Sequence, residues 1–522
     1  MNSEPIASKR ATYLKRIILT ILSLLVSVKL LFSIAATFDR PQIQGKFDLY
    51  QTNLILAASE WEPDRDDPAL LSLKQSFVGG EFLQSAAKQY QTARDRNLKG
   101  IDQIEHKVQA LSTNAEASKA EIQAIKQQLI AAQREQDRID LNLGILQASQ
   151  GKTEDAIAVW KKALAREEKL SLETTAAALI DLWEQPQRFT DLQEAKVKNY
   201  LDGWFRDRAL KQFYTSRQSQ DRLTKLNTQI QEVAEKSLVK LVLIITARAI
   251  LGLLGLGLTI LIAIKLLIDI YRRSAEQSIA KIVSAKVGNS WSSPWDGETI
   301  WQVFLVGFFF VGQFLLPLIL GILVDPSQIN TPRSEAIYVF MTYALMATLG
   351  ILILYLSIRS YLPLPQDWFQ FNLRSNWFLW GFGGYLVANP IVLVVSLINE
   401  RFWQGQGGSN PLLQIVLESK DDVALGLFFL TAAIAAPLFE EILFRGFLLP
   451  SLTRYLPVWT SIVVSALVFG IAHLSLSEIL PLTTLGIILG VVYSRSRNLL
   501  APMLLHSLWN SGTLMSLYVL GQ

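Results

Sequence analysis

The sequence predicts an all-α protein: a polytopic membrane helix bundle of about nine spans, with a soluble helical domain of tetratricopeptide-like (TPR-like) and coiled-coil-like character inserted between the first two spans. Three observations predict it. Half of the 522 residues are hydrophobic and 18% are charged, too apolar for one soluble fold and too charged for membrane helices alone. Long apolar runs occur near the N-terminus and again from residue 249 onward. Between the first two lies a polar stretch of roughly 200 residues with helical periodicity.

Taken in order, Lys9, Arg10, Lys15 and Arg16 precede an apolar run from Ile17 to Ala36 that only Lys29 interrupts. This reads as a signal-anchor helix longer than a usual signal core, although Ser33-Ile34-Ala35 resembles a cleavage site. The positive flank stays inside, so the following segment is exported. Within it, Leu143-Gly144, Gly151, Ala156, Trp160 and Ala163 have the relative spacing of a TPR motif, with a fainter echo at Ala86, Tyr90 and Ala93. Ile101, Ile104, Val108, Leu111, Ala115, Ile122, Ile125 and Leu129 fall mostly three and four apart, the pattern of a long coiled-coil-like helix. A generic helical bundle fits the same stretch. As a repeat array it would hold a peptide or a partner protein.

Ala249–Ile264 is the second apolar run. Trp301–Val324, Ala336–Ile358, Trp377–Ile398 (with Asn389-Pro390 as an expected kink), Val423–Leu449, Pro457–Leu474, Leu480–Tyr493 and Leu499–Leu520 follow. The basic connections at Arg272/Arg273, Arg359/Arg374, Arg454 and Arg495/Arg497 then alternate with acidic ones at Asp325, Glu400 to Asp422 and Glu478, placing the N-terminus in the cytoplasm. The expected divisions are residues 1–37 (anchor), 38–237 (exported helical domain), 238–300 (second span and cytoplasmic loop) and 301–522 (membrane domain, motif core 423–515). A net charge of +4 gives no nucleic-acid signal, and the absence of cysteine removes disulfides, thiol nucleophiles and cysteine-bound metals.

The chemistry concentrates in the C-terminal block. An apolar run leads into adjacent Glu440 and Glu441, with Arg445 one helical turn later. Ionisable groups in a membrane span cost about 2.5–3.5 kcal/mol each on insertion scales, so the cluster marks a functional site. Phe469/His473 and His506/Asn510 repeat the four-residue spacing, and His473 and His506 are two of only three histidines in the chain. On a helix this spacing sets both members of a pair on one face. Adjacent Glu440 and Glu441 point about 100° apart, so they serve different partners. Glu441 has Arg445; Glu440 has no partner in its own helix and suits a general base that takes a proton from water. Two arrangements remain open. Glu440, His473 and His506 could hold a zinc ion with an open water position. Without metal, one histidine could orient the water while His506 and Asn510 donate to an oxyanion. Both amount to peptide hydrolysis within the bilayer. There is no His-Glu-x-x-His helix, no Gly-x-Ser-x-Gly elbow and no paired intramembrane aspartate.

Glu440-Glu441-x-x-x-Arg445, Phe469-x-x-x-His473 and His506-x-x-x-Asn510, in this order on separate helices, resemble the three motifs of the CAAX protease and bacteriocin-processing family, which includes the type II prenyl-protein endopeptidases and Abi proteins. The resemblance implies an intramembrane endopeptidase. It assigns catalysis to Glu440, Glu441, His473, His506 and Asn510, with Arg445 and Phe469 in support. The family has been described both as zinc metalloproteases and as metal-independent glutamate proteases. The added exported domain suggests a cyanobacterial or plastid-type member in a plasma or thylakoid membrane. The substrate class is a membrane protein or lipidated peptide, with a protein partner for the 38–237 domain. A proton-coupled carrier using the same Glu and His groups, or a non-catalytic scaffold, are the competing readings. Helix rise counted from each expected end places Glu440 about 13 Å, His506 about 10 Å and His473 about 24 Å deep. The three meet only if the His473 helix is tilted, broken or begins inside the bilayer.

Overall fold

The computed structural model describes residues 6–38, 40–63, 67–113, 119–165, 173–273, 288–325 and 328–521. Among the described residues every regular element is a helix. The chain divides into two compact units: Gln44–Ala247, and Met1–Ile43 together with Arg248–Gln522.

In the Gln44–Ala247 unit, Leu56, Tyr90, Leu143, Trp160, Leu179 and Phe213 share one buried cluster. The helix Lys119–Ser149 turns back into Thr153–Leu164 through Gly151, whose φ of +80° favours glycine. Gly144 lets the two helices close: a Cβ there would lie 2.2 Å from Nε1 of Trp160, which donates to the Leu141 carbonyl at 3.2 Å. The residues with TPR-like spacing thus build a helical hairpin. A repeat array extending from it is a proposal.

The long coiled-coil-like helix is replaced by two helices, Phe82–Thr113 and Lys119–Ser149; Ala115 lies outside the described residues. Arg94 Nε reaches Asp140 at 2.7 Å and Asn97 reaches Gln136 at 3.0 Å. Numbering rises along one helix as it falls along the other, so the pair is antiparallel. The three-and-four spacing served two facing helices rather than one continuous rod.

In the other unit, the helices that are long and apolar enough to cross a membrane lie at Tyr13–Ala35, Gly297–Leu323, Pro332–Tyr361, Trp377–Trp403, Asp422–Leu452 and Leu476–Ser496; a seventh, Gln220–Arg272, carries the second apolar run. The chain is an integral membrane protein. Seven helices rather than the expected nine meet the requirement among the described residues. The helix Val458–Ala472 has 15 residues, which gives about 22 Å against a hydrocarbon core of about 30 Å. Leu500–Gly521 has 22 residues, but His506, Asn510 and several hydroxyl residues dilute its hydropathy. The Trp377–Trp403 helix continues through Pro390.

The first helix, Ile6–Ala35, is seated on its neighbours. Leu19 and Val26 bury against Leu305, Trp301 donates to Ser23 at 3.0 Å, and Lys15 and Arg16 pair with Glu298 at 3.0 and 3.1 Å. Just beyond it, Gly408 N–H donates to the Arg40 carbonyl (2.9 Å), Gln42 N–H to Gly405 (2.8 Å), Ser477 N–H to Gly407 (3.2 Å) and Leu476 N–H to Thr37 Oγ1 (3.3 Å). A Cβ on Gly407, at φ +97°, would press to 2.9 Å on Ser477 and Trp403. Residues 37–42, the 405–408 loop and the segment after His473 are thereby stitched together.

Three stretches are π-helical: Val303–Leu315, Leu430–Ala435 and Ile442–Leu448. Each gives way to an α-helical segment with proline at its second residue: Pro317, Pro437 and Pro450. The residue before each proline bonds five positions back: Leu316 to Val311, Ala436 to Thr431 and Leu449 to Phe444. Proline has no N–H and its ring crowds the preceding turn, so a widened turn relieves the clash. The last two flank the α-helical step that carries both glutamates.

Candidate active site

Glu440 and Glu441 end the step Ala436–Glu441. Glu441 and Arg445 are both fully buried, at 0% exposure. Glu441 Oε1 accepts from Arg445 Nη1 at 2.9 Å and from His506 Nδ1 at 2.8 Å. The other arm of the guanidinium, Nη2, donates to the Gly486 carbonyl at 3.2 Å, and its carbon lies 4.5 Å over the Phe469 ring. An arginine suits this place because its planar fork meets two acceptors at once while its face rests on an aromatic ring. Without that partner, a dry carboxylate would carry the full desolvation penalty.

Phe469 lies against this ion pair. It is buried beneath Arg445, with its ring 4.9 Å from His473 and 5.6 Å from His506 at steep interplanar angles. His473 Nδ1 lies 2.8 Å from the Phe469 carbonyl, one turn back, at the C-terminal end of Val458–Ala472. A carbonyl and a carboxylate only accept, so both histidines carry hydrogen on Nδ1, and Nε2 of each remains for other chemistry.

Glu440 turns to a different neighbour. Its Oε1 accepts from the Tyr343 hydroxyl at 3.0 Å, on the helix Pro332–Ile358. The second oxygens of both glutamates, Glu440 Oε2 and Glu441 Oε2, are buried with no hydrogen-bond partner. Buried polar atoms are almost always paired, so a free oxygen on each glutamate marks a place that receives a polar ligand.

Residues 422–512 match the protein family described as Type II CAAX prenyl endopeptidase Rce1-like. The C-terminal part of this chain is an Rce1-like domain. It contains all the candidate residues from Glu440 to Asn510; Tyr343 lies outside the match. Two relatives are similar to the chain. YdiL of Bacillus subtilis (strain 168) is 26% identical over 133 residues, 26% of this chain and 53% of the relative. The membrane-embedded CAAX protease MroQ of Staphylococcus aureus (strain USA300) is 24% identical over 210 residues, 39% of this chain and 83% of the relative. The chain thus spans about half the length of YdiL. No solved structure matches it.

Within the Rce1-like domain the geometry adds three observations. His506 joins Glu441. Among the described residues no group of three His, Asp or Glu side chains is gathered as a metal set, and zinc held by Glu440, His473 and His506 is a proposal. Finally, Asn510 Nδ2 donates one N–H to the Ala432 carbonyl at 2.7 Å. In the five-back register of Leu430–Ala435, the group opposite the Ala432 carbonyl is the nitrogen of Pro437, which has no hydrogen. Asn510 supplies the missing donor from another helix. Its remaining N–H is the one left for a reacting group.

Proposed function

We propose that the Rce1-like domain is an intramembrane endopeptidase that cleaves a peptide bond in a membrane-protein or lipidated-peptide substrate. The carrying observation is the unequal support of the two carboxylates. Each glutamate has one anchored and one free buried oxygen, but Glu441 is neutralised by Arg445 and held by His506, whereas Glu440 is anchored by the uncharged Tyr343 hydroxyl. The first arrangement builds a scaffold; the second suits a base. Glu440 takes a proton from water, and the resulting hydroxide attacks the carbonyl carbon. His473, through Nε2, helps orient that water. In its doubly protonated form His506 offers Nε2–H to the oxyanion while Nδ1–H stays on Glu441, and the second N–H of Asn510 can assist. Collapse breaks the C–N bond, and the Glu440 proton passes to the leaving amine. No step is routed through a metal. The family match and the similarity to MroQ support this reading.

The reading also places the N-terminus on the cytoplasmic side of a bacterial, cyanobacterial-type plasma or thylakoid membrane. The 38–237 segment then lies outside, where its hairpin would hold a peptide or protein. The deciding experiment uses the purified, reconstituted chain and a panel of transmembrane and lipidated peptides, with and without chelator. Hydrolysis by the native chain and none by a folded Glu440→Gln variant is the expected result. Undiminished cleavage by that variant would remove Glu440 as the base. Loss of cleavage with chelator would restore a metal to the mechanism.

A further inference from the structure

We propose that Tyr343 is a positioning residue for Glu440, aiming its free oxygen at the attacking water; this rests on the peptidase reading above. Tyr343 stands 11 residues into the helix Pro332–Ile358, about 17 Å along it, near the middle of a span rather than in an interfacial aromatic belt. At that depth a phenol hydroxyl needs an acceptor, and Glu440 Oε1 at 3.0 Å provides it. A neutral phenol donates and a carboxylate accepts, so the bond fixes which oxygen of Glu440 is occupied. Oε2 is left as the oxygen free to take a proton.

The seat beneath Tyr343 is rigid. Its ring meets Phe439 edge-on at 6.1 Å and 87°. Two helical turns further on, Gly350 lies so near the Phe439 ring that a Cβ would stand 2.8 Å from it. The same Cβ would be 3.3 Å from the Gly307 carbonyl, so the helix is set between two fixed neighbours. The register that puts Gly350 on Phe439 also puts Tyr343 on Glu440, because residues seven apart share a face. Phe439 immediately precedes Glu440, so a single packing contact locates both partners of the hydrogen bond.

Tyr343→Phe in the full reconstituted chain tests this, since it removes one oxygen and keeps the ring. The expected result is a kcat about ten- to a hundredfold lower, the range for losing a hydrogen bond to a charged group, with KM within about twofold. Infrared difference spectroscopy supplies a readout that needs no substrate. The carboxyl bands that vanish in Glu440→Gln identify Glu440, and these should shift in frequency in Tyr343→Phe. Unmoved bands overturn the proposal even if kcat falls, because the loss would then come from packing alone. Shifted bands with unchanged kcat also overturn it. Shifted bands in a chain that hydrolyses none of the peptides would leave the tie standing and count against the peptidase reading instead.

Discussion

Arg445→Met is the most informative change to the buried frame of the site. Methionine keeps an unbranched apolar stem but removes the guanidinium, which here holds Glu441 at 2.9 Å and the Gly486 carbonyl at 3.2 Å and covers Phe469 at 4.5 Å. Removing one member of a buried ion pair costs about 3–5 kcal/mol, because the other charge stays dry and uncompensated. The lost contact with the ring adds up to about 2 kcal/mol. His506 remains on the same Glu441 oxygen and offsets part of this, so a net loss of about 4 kcal/mol is expected. Arg445→Lys should fall between, since an ammonium can reach Glu441 but cannot bridge to Gly486 with a planar fork. Arg445→Met combined with Glu441→Leu, which leaves no orphaned charge, should recover at least half of the loss. The assay is reversible unfolding in mixed micelles, monitored by tryptophan fluorescence. A single variant within 1 kcal/mol of the native chain, or a double variant no better than the single, would refute the argument that charge compensation holds this frame.

Asn510→Leu should cost about 1–3 kcal/mol in the same assay, because the Ala432 carbonyl loses its donor while it stays buried; adding Pro437→Ala, which restores a backbone N–H, should return part of it. In the Gln44–Ala247 unit, burial alone would raise Glu194, but Lys198 and Tyr214, both at 2.6 Å, together with Arg222 outweigh it and hold the carboxyl below its ordinary value. A depressed acid stabilises the fold above its ordinary pKa of about 4.3, and that contribution disappears as pH falls through the lower folded value. Amide protection factors, corrected for the intrinsic pH dependence of exchange, should therefore fall across Asp191–Tyr200 and Gly203–Ser216 below about pH 4.3, and Glu194→Gln should flatten the change; identical protection profiles for both chains would contradict it.

Much of the site could be read from spacing alone. Glu441 and Arg445 pair across one turn, as four-residue spacing requires, and the divergence of adjacent Glu440 and Glu441 toward different partners follows from helix geometry. The partner of Glu440 could not be read. Tyr343 is one aromatic residue in an apolar span, and only the packing of Phe439 on Gly350 brings it within reach. The π-helical turns were equally hidden, because hydropathy runs on through them; the prolines at 317, 437 and 450 were the usable signal. The surroundings of His473 could not be read from an apolar run taken as a full span, Pro457–Leu474. Its helix is short, and Phe469 carries the contact from His473 to His506. In the Gln44–Ala247 unit, the periodicity along residues 101–129 was real but fitted two facing helices as well as one.

The knot at the end of the first helix bears on where this machine begins. The family match opens at residue 422, which invites the excision of a minimal fragment. Yet the turn that follows His473 is completed by Thr37, 439 positions earlier in the chain, and by glycines of the 405–408 loop. A fragment cut at the homology boundary would keep every motif residue and lose the groups that finish their frame. Homology here marks where the chemistry has been kept, not how much polypeptide is needed to perform it.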